Sequence, residues 1–244
     1  MNFVCDSSTL IALSETGTLD ALAFLKQEAG ARFFITPAVA FETMEHPEQI
    51  QRFAFSAFKI EKALKDGWIE PTLPKATPSK TREILQYANS VFSVNGQSLK
   101  VLHAGEAEAL AAYKEMQAKG ILVDEKTTRL FIEDAGILRQ SLEQEYRGSV
   151  KVNQKALDSL KRLLQGMNAI RSTEILAVAF EKGYFDGYGK NADAAFHSAL
   201  FAVRNAGCSI TTHELLEYQE LHKPEPNPIN GPRPAQSQAR FPKP

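Results

Sequence analysis

Five carboxylates, at Asp6, Glu42, Glu106, Glu108 and Asp124, are far apart along the chain. Each nevertheless lies at or near the end of an expected strand or the start of an expected helix. Asp6 follows the apolar run Asn2-Phe3-Val4-Cys5 and opens Ser7-Ser8-Thr9-Leu10-Ile11-Ala12-Leu13. Asp124 follows Gly120-Ile121-Leu122-Val123 and opens another helical stretch. In an open parallel α/β sheet the functional crevice lies beyond the carboxyl ends of the strands, so acids delivered by different strands can meet there. Such acids are hard oxygen ligands, suited to Mg2+ or Mn2+ together with water and substrate phosphate oxygens. The predicted chemistry is in-line hydrolysis of a phosphodiester by a metal-bound water, with the same ion or a second one ~3.5–4 Å away stabilising the leaving oxygen. In this reading Asp6 and Asp124 are the principal ligands, and Glu42 and Glu106 orient the water or a second ion. Arg129, one turn beyond Asp124, or Lys126 contacts phosphate.

Each acid also has a purely local explanation. Asp6 can cap the helix that starts at Ser7, and Asp124-Glu125 can cap the one through Arg129. Glu42, behind Thr36-Pro37, is a first-turn glutamate of the kind the helix dipole favours. Glu106 and Glu108 flank Ala107 at the start of an alanine-rich helix. At about 100° per residue they point apart, so one of them faces a given site. Glu106 shares its face with Ala109, Leu110 and Tyr113 and is the expected inner ligand, with Glu108 the outer or alternate one. Local roles explain the acids one at a time but not their coincidence at strand ends.

Positioning these residues requires a parallel α/β sheet. Strands are expected at residues 2 to 5, 32 to 36, 67 to 70 and 120 to 123, alternating with amphipathic helices. Helical faces include Leu19, Leu22, Ala23 and Leu25, then Ile50 through Leu64, then residues 80 to 94 and 105 to 119. After Asp124 helical periodicity dominates residues 126 to 146, 153 to 167, 172 to 182 and 191 to 205, with a short strand near Cys208. The expected organisation is an α/β domain over 1–136 that carries the acids, a helical extension over 137–221 and a disordered proline-rich tail over 222–244.

The 244 residues are 43% hydrophobic with a formal net charge of −1, enough for a core without disulfides or structural metal. Cys5 and Cys208 have no metal-binding or redox spacing, and the five histidines form no zinc pattern. No stretch approaches the ~18 apolar residues of a membrane span, and a cytoplasmic protein is expected. No GxxxxGK[ST] loop, GxGxxG fingerprint or GxSxG elbow is present. A haloacid-dehalogenase-type phosphatase would place a second Asp two positions after the first, where this chain has Ser8. At this net charge a nucleic acid would have to be held by a local basic patch, and charge alone neither supports nor excludes such a partner.

Four segments resemble the PIN domain nucleases, in particular the VapC-like toxins of toxin–antitoxin pairs: Val4–Leu13, Ile35–Glu42, Leu102–Ala111 and Ile121–Arg129. They occur in that family's order across about the first 135 residues. The resemblance implies a small Rossmann-like sheet whose acidic quartet, Asp6, Glu42, Glu106 and Asp124, binds Mg2+ or Mn2+ and cleaves RNA; with RNA as substrate, a near-neutral chain is better equipped to take single strands or loops than a long duplex. Ser8 would support the first aspartate, and Glu108 can replace Glu106 in the alignment. It further implies an antitoxin protein and a second copy of the chain as candidate partners. Ile170–Leu176 is similar to the closing helix of some members, which would make residues 137–169 an insertion. A PIN-like module that binds RNA or protein without cutting is the competing reading.

Overall fold

A computed structural model describes residues 1–45, 51–72 and 78–221. The proline-rich tail, Ile50 of the expected second helical face and Pro74 of the expected connection lie outside the described residues. Five short strands, β1 (Asn2–Cys5), β2 (Arg32–Ile35), β3 (Ile69–Pro71), β6 (Gly120–Leu122) and β8 (Ala169–Ile170), form a parallel sheet in the order β3-β2-β1-β6-β8. Pairing places Val4 opposite Phe34 on one side and Ile121 on the other. The order reverses at β1, so the switch-point crevice opens between β1 and β6, just where Asp6 and Asp124 leave the sheet. β4 (Phe92–Val94), β5 (Gln97–Ser98) and β7 (Lys151–Val152) form a small antiparallel sheet that was not expected.

Strand alternation divides the core. Val4 and Ile121 face one layer, built by α5 (Pro78–Val91), α6 (Ala104–Glu115), α7 (Lys126–Glu133), α8 (Ala135–Glu145) and α9 (Gln154–Leu164). Cys5 and Leu122 face the other, built by α1 (Ser7–Glu15), α2 (Ala21–Ala29), α4 (Gln51–Lys65), α10 (Ser172–Glu181) and α11 (Ala192–Asn205). Residues expected as a helical extension therefore enter both layers, with Leu138, Leu157 and Leu160 in the first and Leu176, Phe196 and Leu200 in the second.

Several expected elements differ in extent. The 126–146 helix is two helices, because Asp134 adopts an extended φ of −156° and its carboxylate accepts from the backbone N–H of Gly136 and Ile137, capping the second. The 80–94 helix stops at Val91, where β4 begins, and the 105–119 helix stops at Glu115. Cys208 lies in an irregular segment, and the late strand is β8 instead. Among the described residues no helix is long and apolar enough to cross a membrane.

Thr36 and Pro37 show the local logic near the crevice. The Thr36 hydroxyl accepts from the Val39 N–H and Pro37 occupies the first helical position, starting the short α3 (Pro37–Ala40) directly after β2. A single π-helical turn, Phe41–Glu45, follows and carries Glu42.

Candidate functional site

Asp6 sits at the carboxyl end of β1, only 2% exposed. Its Oδ2 accepts from the Ser8 N–H at 3.1 Å and the Ser8 hydroxyl at 2.6 Å, so it does cap α1. Its Oδ1 is buried near the Ser7 N–H, with no partner that has hydrogen-bonding geometry. Burial pushes the carboxyl up to about 6; the Ser8 bonds oppose this and the charge of Glu42 adds to it.

Asp124 is fully buried just beyond the carboxyl end of β6. Its Oδ1 accepts from the Ser172 N–H at 2.7 Å, at the start of α10. The Ser172 hydroxyl and Cys208 thiol lie nearby, and Oδ2 has no partner with hydrogen-bonding geometry. Burial raises this carboxyl as well, opposed chiefly by the Ser172 N–H. Ser8 ties the two acids together. Its Oγ donates to Asp6 and accepts from the backbone N–H groups of Asp124 at 3.0 Å and Glu125 at 3.3 Å, spanning the β1–β6 crevice.

Glu106 is nearly buried. Its Oε2 accepts from the His103 N–H at 2.6 Å and its Oε1 from the Thr128 hydroxyl at 3.0 Å. Burial drives its carboxyl up to about 7, the His103 bond resists, and the charges of Asp6 and Glu125 add to the rise. Glu108 turns elsewhere: its Oε2 accepts from the Ala38 N–H at 2.9 Å, at the start of α3. Glu42 approaches Gly105, where a Cβ would come within 2.3 Å of its Oε1. Glycine there is what allows the glutamate so near the first turn of α6.

Lys126 and Arg129 do not bond to these acids. Lys126 donates to the Ser141 hydroxyl, while Arg129 pairs with Glu133 and reaches the Ser209 carbonyl at 3.5 Å. They lie across α7 from Thr128, the residue of that helix that meets Glu106.

Sequence reasoning missed Thr128, Ser172 and Arg171. Thr128 follows Asp124 by about one helical turn and carries only a capping signal. Ser172 joins Asp124 over 48 positions, and the two-residue β8 before it leaves almost no pattern to read. Arg171, mostly buried, pairs with Glu174 at 3.0 Å and Glu214 at 2.8 Å, fastening α12 (Thr212–Leu221) to the start of α10.

Among the described residues no three His, Cys, Asp or Glu side chains are arranged as a ready-made metal cage. The chemistry of the donors nevertheless fits a divalent cation. Asp6 and Asp124 each present a buried carboxylate oxygen without a partner of hydrogen-bonding geometry, and burial raises the carboxyls of Asp6, Glu106 and Asp124, a cost that a cation relieves.

A family model described as a PIN domain matches residues 2–168, a span that includes Asp6, Glu42, Glu106 and Asp124 but ends before Ser172. No curated protein and no solved structure matches the chain.

Proposed function

The chain belongs to the PIN domain family, a nuclease-type fold, and we propose that it is a metal-dependent endoribonuclease hydrolysing single-stranded or loop RNA. The observation that carries this reading is the pair of unpartnered carboxylate oxygens, Asp6 Oδ1 and Asp124 Oδ2, on adjacent strands bridged by Ser8. These two acids would hold Mg2+ or Mn2+, with Glu42 and Glu106 beside them. The chemistry such a cation supplies is acidification of a water and neutralisation of charge at the phosphate.

The chain's own residues set the frame for that chemistry. Ser8 holds the Asp6 carboxylate and the turn after β6 in one register. The Ser172 N–H fixes Asp124 through Oδ1 and leaves Oδ2 available. Thr128 and the His103 N–H orient Glu106. Burial keeps bulk water from competing for these carboxylates, which strengthens their interaction with any bound charge.

A toxin role, with an antitoxin protein or a second copy of the chain as partner, is part of this proposal and is supported by the family resemblance. A reducing, cytoplasmic setting accords with the two buried free thiols, Cys5 and Cys208.

One observation favours a module that binds RNA or protein without cutting: the described acids form no three-ligand group. Cleavage of an unstructured RNA in Mn2+ and in EDTA separates the two readings. Metal-dependent product that disappears in Asp6→Asn supports the nuclease. RNA left intact by the wild type in Mn2+ would leave the binding module standing.

A further inference from the structure

On the side of α7 facing away from Thr128, a cavity of about 580 Å3 opens between that helix, the start of α8, the end of α11 and the Cys208–Thr211 segment. Its volume falls within the ~300–1,000 Å3 of small-ligand sites. Leu130 and Ile210 give it a buried apolar surface, and Ile137, half exposed, adds an aliphatic wall.

The charges lining this cavity are unevenly committed. Arg129 pairs with Glu133, Glu214 pairs with Arg171, and Asp134 accepts two backbone N–H groups. The Lys126 ammonium meets only the Ser141 hydroxyl, and the Arg204 side chain makes no hydrogen bond or ion pair with the described residues. Two cations therefore stand over an apolar surface while each acid already has a donor. That combination suits a nucleotide: the aliphatic side chains take a base face and the cations take a phosphate. The cavity also adjoins the acidic crevice. Cys208 lines it with its thiol beside Asp124, and the Ser209 N–H donates to the Asp124 carbonyl at 3.1 Å.

We propose that this cavity is a nucleotide subsite that holds one unstacked RNA nucleotide flanking the cleaved bond, its base against Leu130, Ile137 and Ile210 and its phosphate at Arg204 and Lys126. The proposal rests on the RNA-hydrolysis reading and adds to it a specificity element. Arg204 and Ile210 lie beyond the segment that matches the family, so the C-terminal helices would take part in substrate choice. Only single-stranded or looped RNA can offer a base free to enter.

The test reads binding apart from cleavage, by fluorescence anisotropy of a labelled unstructured RNA in EDTA. Ile137→Glu and Arg204→Ala change side chains that are not fully buried, and circular dichroism checks that both remain folded. Each should weaken binding by about tenfold. An RNA with one abasic position should lose affinity for the wild type at that position and lose no more with Ile137→Glu. In Mn2+ both variants should lose kcat/KM mainly through KM. Wild-type affinity in both variants, with cleavage intact, would overturn the subsite and leave the nuclease reading in place. Loss in the variants without any effect of the abasic position would overturn the placement of the base. A wild type that neither binds nor cleaves RNA would overturn both.

Discussion

Replacing Asp6 with asparagine should stabilise the metal-free protein at neutral pH while removing its function. The Asp6 carboxyl is raised from an ordinary value of 3.8 to about 6, chiefly by burial. At ~1.4 kcal/mol per pH unit, ionising it in place costs the metal-free fold about 3 kcal/mol. Because the folded-state value is the higher one, the folded chain binds the proton more tightly. The contribution of this group to stability is therefore full below about pH 4, declines as pH rises toward about 6, and levels off above that. Glu106, raised to about 7, extends the decline toward neutrality. The introduced asparagine could still accept from the Ser8 N–H and hydroxyl, but it would put an amide where Oδ1 lacks a partner, at a cost of about 1–2 kcal/mol. The balance is a gain of roughly 1–2 kcal/mol at pH 7.5 in EDTA, or a few degrees in Tm for a chain of this size. Below about pH 4.5 the gain should vanish or reverse. Metal at about 100 times its Kd should raise the wild type by about 2.7 kcal/mol and leave the variant nearly unmoved. Thermal melts from about pH 4.5 to 7.5, with EDTA and with Mn2+, read all of these effects. A variant less stable than the wild type at neutral pH in EDTA, with the same response to Mn2+, would show that burial of the Asp6 charge is neither costly nor relieved by a cation.

Glu106→Gln should reduce RNA cleavage at least about tenfold more than Glu108→Gln, because Glu106 is held at the crevice by Thr128 and His103 whereas Glu108 is turned to the Ala38 N–H; parallel kcat/KM values decide it. Arg171→Met should lower stability by roughly 1–2 kcal/mol, since its partners Glu174 and Glu214 are each about a third exposed and solvent weakens both pairs; the urea midpoint reports it, and an unchanged midpoint would show that α12 is fastened by other contacts. Truncation after Leu221 should leave Tm within about 2 °C, because a proline-rich tail with little apolar content contributes no core; a loss of several degrees would show that it packs.

The sequence made the sheet and the acids visible because both depend on short-range pattern. Apolar runs ending in Asp6 and Asp124 mark β1 and β6, and Thr36-Pro37 marks the helix start after β2. What escaped was either too short to have a period or arises between distant positions. β8 has two residues, yet it places Ser172 against Asp124. In the antiparallel β5-β4-β7 sheet, Phe92 meets Val152 and Ser93 meets Lys151, a pairing of distant segments with no alternation long enough to detect. The opposite aims of Glu106 and Glu108 followed from helical geometry, whereas the groups they meet, Thr128 and the Ala38 N–H, became evident only once the helices were packed. Asp134 split an expected helix because its carboxylate accepts from the backbone N–H groups of Gly136 and Ile137, which periodicity does not register.

Everything proposed for the chemistry depends on Asp6 and Asp124 sharing one divalent cation across the β1–β6 crevice. Titration with Mn2+ followed by electron paramagnetic resonance reads that sharing in the wild type, Asp6→Asn and Asp124→Asn. The wild type should bind Mn2+ with an affinity that falls at least about tenfold in each variant, with both variants still folded. Equal Mn2+ binding by all three proteins would rule out a shared ion.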